Sequence, residues 1–255
     1  MRVWPIFKKE LRHYFISPMA YVVLFVFLLI SGYFFYSIFA FFNLLSLQAS
    51  MNPAFARDLN VTEGVMRPLF SNLSVILLFV VPMVTMRLFA EEKKSGTMEL
   101  LLTYPVRDGA VLAGKYAAAG ALYAVMLVLT LLYPGIVASL TRLEWGPLIT
   151  GYLGLLLMGA AFLAVGTLLS SLTENQIVAG FGTFGILLIF WVLGWSSEIA
   201  GPRWGKVLSH LSLVEHLDSF GKGVIDTKDL IYYLSFTVLC LFLTLRSLES
   251  KRWRG

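Results

Sequence analysis

Charge is scarce in this chain. Of its 255 residues, 14% are Asp, Glu, Lys or Arg and 58% are hydrophobic, against roughly a quarter charged and half apolar in a soluble domain. This composition excludes a disordered chain and argues strongly against a soluble one. No charged residue falls between Arg12 and Arg57, Arg67 and Arg87, Lys115 and Arg142, Glu144 and Glu174, or Glu174 and Glu198, and gaps of that length are long enough for membrane spans. Cysteine is nearly absent. Cys240 stands alone inside an apolar run, which excludes an intrachain disulfide and suits core packing or a lipid-facing site. No G-x-x-x-x-G-K-[ST] motif occurs, so any ATP-driven function needs its nucleotide site on another polypeptide. With no H-E-x-x-H and no Cys pair, no metal site is expected.

What is present is a set of six apolar runs of span length: Met19 to Phe42, Asn72 to Phe89, Tyr116 to Leu140, Leu148 to Leu172, Ile177 to Ser197, and Leu230 to Leu245. No charge falls in the middle of any, where it would cost about 2.5–3.5 kcal/mol on insertion scales. The expected fold is an all-α integral membrane protein, one transmembrane domain over residues 1–255. The net charge of +5 does not point to nucleic acid, because position explains it better. Thirteen Lys and Arg lie on the side of the termini: Arg2, Lys8, Lys9, Arg12, Arg87, Lys93, Lys94, Arg107, Lys115, Arg246, Lys251, Arg252 and Arg254. Seven lie on the other side: Arg57, Arg67, Arg142, Arg203, Lys206, Lys222 and Lys228. The excess places both termini in the cytoplasm.

Before the first span, Trp4, Phe7, Leu11, Tyr14 and Phe15 recur at helical spacing, with Arg2, Lys8, Lys9 and Arg12 on other faces. The pattern predicts a helix over residues 1–18 lying in the inner interface and contacting lipid. In the outer connection from Glu198 to Asp229, Val207, Leu208, Leu211, Val214 and Leu217 form a helical stripe, which predicts a short helix resting on the membrane. The turns at Thr141 to Pro147 and Thr173 to Gln176 are tight and make their flanking helices antiparallel neighbours. Pro82 and Pro134 predict kinks in their spans. Gly180, Gly182 and Gly185 spell G-x-G-x-x-G, but inside an apolar span they predict close helix packing, as do Ala117, Ala118, Ala119, Gly120, Ala121 and Ala124. His210 and His216, with Glu215 and Asp218 nearby, are spaced poorly for one helical face and suit a solvated polar surface better than a metal.

The inner connection from Glu91 to Lys115 reads EEKKSGTMELLLTYPVRDGAVLAGK. Gly96 can cap a helix, Glu99 sits in its first turn where negative charge is favoured, Met98, Leu101 and Leu102 share a face, and Pro105 ends it. A short amphipathic cytoplasmic helix is expected between two spans.

At this stretch the sequence resembles the permease subunits of type-2 ABC exporters, most closely the gliding-motility-associated permease family. The matching segments are FKKELRHYFISPMAY at 7–21, MRLFAEEKKSGTMELLLTYPV at 86–106, LTENQIVAG at 172–180 and GVIDTKDLIYYLS at 223–235. The resemblance implies a six-span half-transporter in the bacterial inner membrane that pairs with a second permease, identical or paralogous, and with separate ATPase subunits holding ATP and Mg. It implies that Glu91, Glu92, Gly96, Thr97, Glu99, Leu100 and Leu101 form a coupling helix docking on the ATPase, and that Glu174, Asn175 and Gln176 form a second inner turn. No cofactor is expected on this chain, nor enzymatic activity. An ion-coupled secondary transporter is weakened by the lack of ionisable groups at mid-membrane. A membrane-embedded enzyme would have only Glu198, His210, Glu215, His216 and Asp218 to draw on.

Overall fold

A computed structural model describes residues 3–51, 60–97, 107–199 and 201–252. Every regular element among them is helical. The chain runs through α1 (Val3–Ile16), α2 (Pro18–Met51), a π-helical turn (Thr62–Met66) entering α3 (Arg67–Thr85), α4 (Ala90–Lys94), α5 (Asp108–Thr130), α6 (Leu132–Leu140) and α7 (Trp145–Leu172). It continues through α8 (Gln176–Ile199), α9 (Gly201–Leu211), α10 (Glu215–Gly221) and α11 (Thr227–Arg252).

Six helical stretches are long and apolar enough to cross a membrane: Pro18–Ala49, Thr62–Lys94, Asp108–Leu140, Trp145–Leu172, Gln176–Ser196 and Thr227–Ser250. Each contains nearly all of the corresponding expected span, and most extend beyond it. Apolar counting stops at the first polar residue, whereas backbone hydrogen bonding continues through it.

The second and fourth spans are 72% and 67% buried, against 22%, 22% and 17% for the first, fifth and sixth. α3 and α7 are therefore the centre of the bundle, and α2, α8 and α11 its outer wall. Glycine makes the central position of α7 feasible. A Cβ at Gly151 would strike Phe70, at Gly154 Phe220 and Leu217, at Gly159 Tyr123, and at Gly166 Thr85. The expected glycine packing in α8 holds in part: Gly180 faces Met86 and Gly182 faces Leu169, but Gly185 faces open space. In α5, Ala118 and Ala119 are fully buried.

Polar groups in the apolar interior find partners, as they must where water is absent. The Tyr123 hydroxyl donates to the Leu155 carbonyl at 2.5 Å, Tyr116 to Ala160 at 2.9 Å, and Tyr133 and Ser31 share a 2.8 Å bond between α6 and α2. The proline prediction holds at Pro134, where the helix is interrupted at Leu131 between α5 and α6. Pro82 sits inside a continuous α3.

Contacts distinguish the two ends of the bundle. At one, called here the terminal face, α1 packs on the start of α5 beside the α3–α4 junction and the end of α7. At the opposite, distal face, Thr62 Oγ1 accepts from the Glu144 backbone, Thr150 donates to the Phe220 carbonyl at 2.7 Å, and Arg67 pairs with Asp218 at 2.6 Å. The distal stripe expected on one helix is divided between two. Trp204, Val207 and Leu211 on α9 are exposed, while Leu217 on α10 is buried, as is Leu213 between the two helices. Tyr232 and Tyr233 of α11 hold the intervening corner by donating to the carbonyls of Leu211 and Leu213.

Candidate functional site

The terminal face gathers charge that the sequence scatters. α3 ends at Thr85, the chain leaves helical geometry through Met86–Phe89, and α4 begins at Ala90. Such a break strands backbone groups. Ser170, near the end of α7, resolves it: its Oγ accepts from the Phe89 and Ala90 N–H groups at 3.0 and 3.1 Å and donates to the Met86 carbonyl at 3.1 Å. One hydroxyl thus ties the junction to the other central span. Lys93 adds a second tie through the Ser171 carbonyl. The charged run Glu91–Lys94 is a helical turn held through Glu92 and Lys93, not a solvated linker.

Lys115 lies at the start of α5, 2% exposed, with its ammonium 3.1 Å from Glu10 on α1 and 3.0 Å from Glu92 on α4. The ring of Phe89 lies 5.5 Å from the same nitrogen. A buried ammonium is costly unless paired, and here two carboxylates from different helices pair it. Lys115, counted in the sequence only as a membrane-flanking charge, is the joint between α1, α4 and α5.

On α1, Phe7, Leu11, Tyr14 and Phe15 face inward with Ile6 and Glu10 on the same half-buried stripe, while Trp4 is 70% exposed and stacks on Phe7. Ile6 lies directly over Gly114, so close that a Cβ there would collide with it. Tyr14 donates to the Val84 carbonyl at 3.0 Å, pinning α1 to α3. Burial, then the carboxylates of Glu10 and Glu91, push the Tyr14 phenol well above its usual range, so it remains a donor. The helix is held by the protein as well as by any lipid.

α4 ends in a turn. Gly96 has φ +70°, the left-handed conformation that glycine adopts without strain just past a helix end. Its N–H bonds the Lys93 carbonyl at 3.1 Å, so Gly96 closes the helix before it; the helix expected after it lies outside the described residues from 98 on. Thr97 Oγ1 bonds Ser95 Oγ at 2.8 Å and the Glu92 carbonyl at 3.3 Å. Glu99, Leu100 and Leu101, with the amphipathic segment to Pro105, lie outside the described residues. At the other turn, Asn175 Oδ1 caps α8 by accepting from the Ile177 N–H at 2.9 Å. Glu174 and Asn175 are exposed and Gln176 is half-buried.

Between α1 and the α3–α4 junction is a cavity of about 270 Å³ lined by Lys9, Glu10, His13, Tyr14, Arg87, Glu91, Glu92 and Lys115, with Met19 and Ala20 on its apolar side. The Arg87 guanidinium and the Glu91 carboxylate make no hydrogen bond or ion pair with any described residue. Glu92 Oε2 is buried and likewise unmatched.

The distal histidines differ from expectation. His216 is not solvated: it is 6% exposed, its Nδ1 lies 2.6 Å from Asp229 Oδ1, its Nε2 lies 3.2 Å from the His210 carbonyl, and its ring stacks on Tyr232. The partner, Asp229, is thirteen residues away on α11, beyond the reach of a single-helix pattern. His216 is therefore a structural link between α10 and α11.

None of the curated proteins compared with the chain matches it. A family model described as ABC-2 family transporter protein matches residues 4–252, a range that takes in α1, all six candidate spans and both turns of the terminal face. A helical bundle with six candidate membrane spans and a match of that extent has one family assignment: the chain belongs to the ABC-2 transporter family and is a membrane component of an ABC transporter.

Proposed function

We propose that the chain is the permease subunit of an ATP-driven exporter in a bacterial inner membrane, worked by a separate ATPase that docks on the terminal face, which is cytoplasmic. One observation supports this most: the strand of chain leaving the buried span α3 is tied by Ser170 to α7 and by Glu92–Lys115–Glu10 to α5 and α1. A push on residues 91–101 would reach three spans at once instead of being absorbed by a loop.

In this reading Glu91, Glu92, Gly96, Thr97, Glu99, Leu100 and Leu101 form the docking lever, and Glu174, Asn175 and Gln176 a second contact. ATP and Mg act in the partner. A second permease copy or paralogue completes the path, and the four matching segments favour the gliding-motility-associated branch of the family. The absence of a P-loop motif from the sequence agrees with energy supplied from outside.

The test is purification in mild detergent followed by reconstitution. A Walker-motif ATPase should accompany the chain, and transport should require ATP. Glu99→Lys should weaken docking or coupling while leaving membrane insertion intact. Transport by the isolated chain under an ion gradient without ATP would contradict the reading.

A further inference from the structure

The cavity between α1 and the α3–α4 junction contains more charge than the coupling reading uses. We propose that it binds a zwitterionic headgroup, an anionic oxyacid and a primary amine a few bonds apart, of the kind an aminophospholipid such as phosphatidylethanolamine carries.

Arg87 lines the cavity half-buried with no anionic partner, and Glu91, four residues on, lines it with no cationic one. The two do not pair with each other. Glu92 uses Oε1 for Lys115 while Oε2 stays buried and unmatched. Buried polar atoms without partners are uncommon and call for an explanation. A purely anionic ligand would face Glu91 and Glu92; a purely cationic one would face Arg87 and Lys9. A ligand bearing both signs satisfies both sets, its oxyanion accepting from Arg87 and its amine donating to the carboxylates.

The amine must carry hydrogens, because a carboxylate oxygen accepts hydrogen bonds and a trimethylammonium has none to give. A lipid is favoured over a free solute by position. Met19 and Ala20, where the first span begins, also line the cavity, so acyl chains would continue along the apolar surface of that span. α1, with Trp4 turned outward, lies where headgroups lie.

The experiment uses the purified protein with any bound subunits, exchanged with phosphatidylethanolamine, phosphatidylcholine or phosphatidylglycerol of matched acyl chains, and counts retained lipid by native mass spectrometry. Phosphatidylethanolamine should be retained over both others. Arg87→Gln and Glu91→Gln should each lower retention about tenfold, the scale of one lost charged hydrogen bond, and Arg87→Lys should keep most of it. Two variants on separate elements guard against one failing to fold. Equal retention of all three lipids, or unchanged retention in both Gln variants, overturns the proposal. Displacement by soluble phosphoethanolamine as effective as by the lipid would assign the cavity to a free solute and overturn the lipid assignment. Binding is read without ATP or ATPase, so its failure leaves the coupling test untouched.

Discussion

Replacing Lys115 with Met tests the joint at the terminal face. The ammonium is 2% exposed and lies 3.1 and 3.0 Å from Glu10 and Glu92, whose side chains are 12% and 14% exposed. Methionine keeps much of the volume and removes the charge. Glu10 then loses its partner and Glu92 keeps only Lys9, 3.8 Å away and largely exposed, and removing one member of a buried ionic group costs about 3–5 kcal/mol. The weakest of the three attachments is α1, which has no fully buried residue of its own, so the loss should appear there. At about 1.4 kcal/mol per tenfold, even the lower figure opens α1 roughly a hundredfold more often. Hydrogen exchange of residues 3–16 in detergent or nanodiscs reads this directly. The combined variant Glu10→Leu, Glu92→Leu, Lys115→Met should recover most of the protection, because an apolar replacement of a buried ionic group is often neutral. Unchanged exchange in Lys115→Met, or no recovery in the triple variant, would refute the argument that charge pairing holds α1 to the bundle.

Further outcomes follow from other contacts. Ser170→Ala leaves the Phe89 and Ala90 N–H groups unmatched and should cost at least about 1–3 kcal/mol in thermal unfolding, with coupling reduced more than expression. Gly159→Ala forces a methyl into the buried Tyr123 ring and should destabilise by about 1–3 kcal/mol, whereas Gly185→Ala, which meets open space, should be neutral or slightly stabilising; unfolding midpoints of the two variants decide it. At the distal face, partial burial raises the Asp218 pKa, but hydrogen bonds from Lys222 and Arg67 outweigh it and leave the carboxyl below its usual range. Its contribution is present above the unfolded value near 4 and lost as pH falls through the lower folded value. The pair is about half exposed, so Asp218→Asn should cost less than about 1 kcal/mol at neutral pH, a difference that vanishes in strong acid.

The spans were legible because lipid imposes a constraint that a run of residues carries by itself: twenty without charge. Proline at 134 and the aromatic stripe on α1 were legible for the same reason, each being local, but that the stripe packs on α3 and α5 was not. The joints were not. Lys115 meets Glu10 from 105 residues away, and in a positional count Lys115 reads as one more flanking charge. Ser170 reads as one more small residue at a helix end, yet it satisfies three backbone groups of another span. His216 was misread because its partner sits on a different helix. A signal for the α7 glycines did exist, in the spacing of Gly151, Gly154, Gly159 and Gly166, which places them towards one side of the helix.

The central claim is that energy enters through the connection after α3, on the cytoplasmic side. A photo-crosslinking residue placed at Thr97, and separately at Glu174 and at Glu144 on the distal face, tests it in intact cells. Crosslinks from positions 97 and 174 to a Walker-motif ATPase, and none from 144, are the expected result; an ATPase captured from 144 alone, or from none of the three, would contradict it.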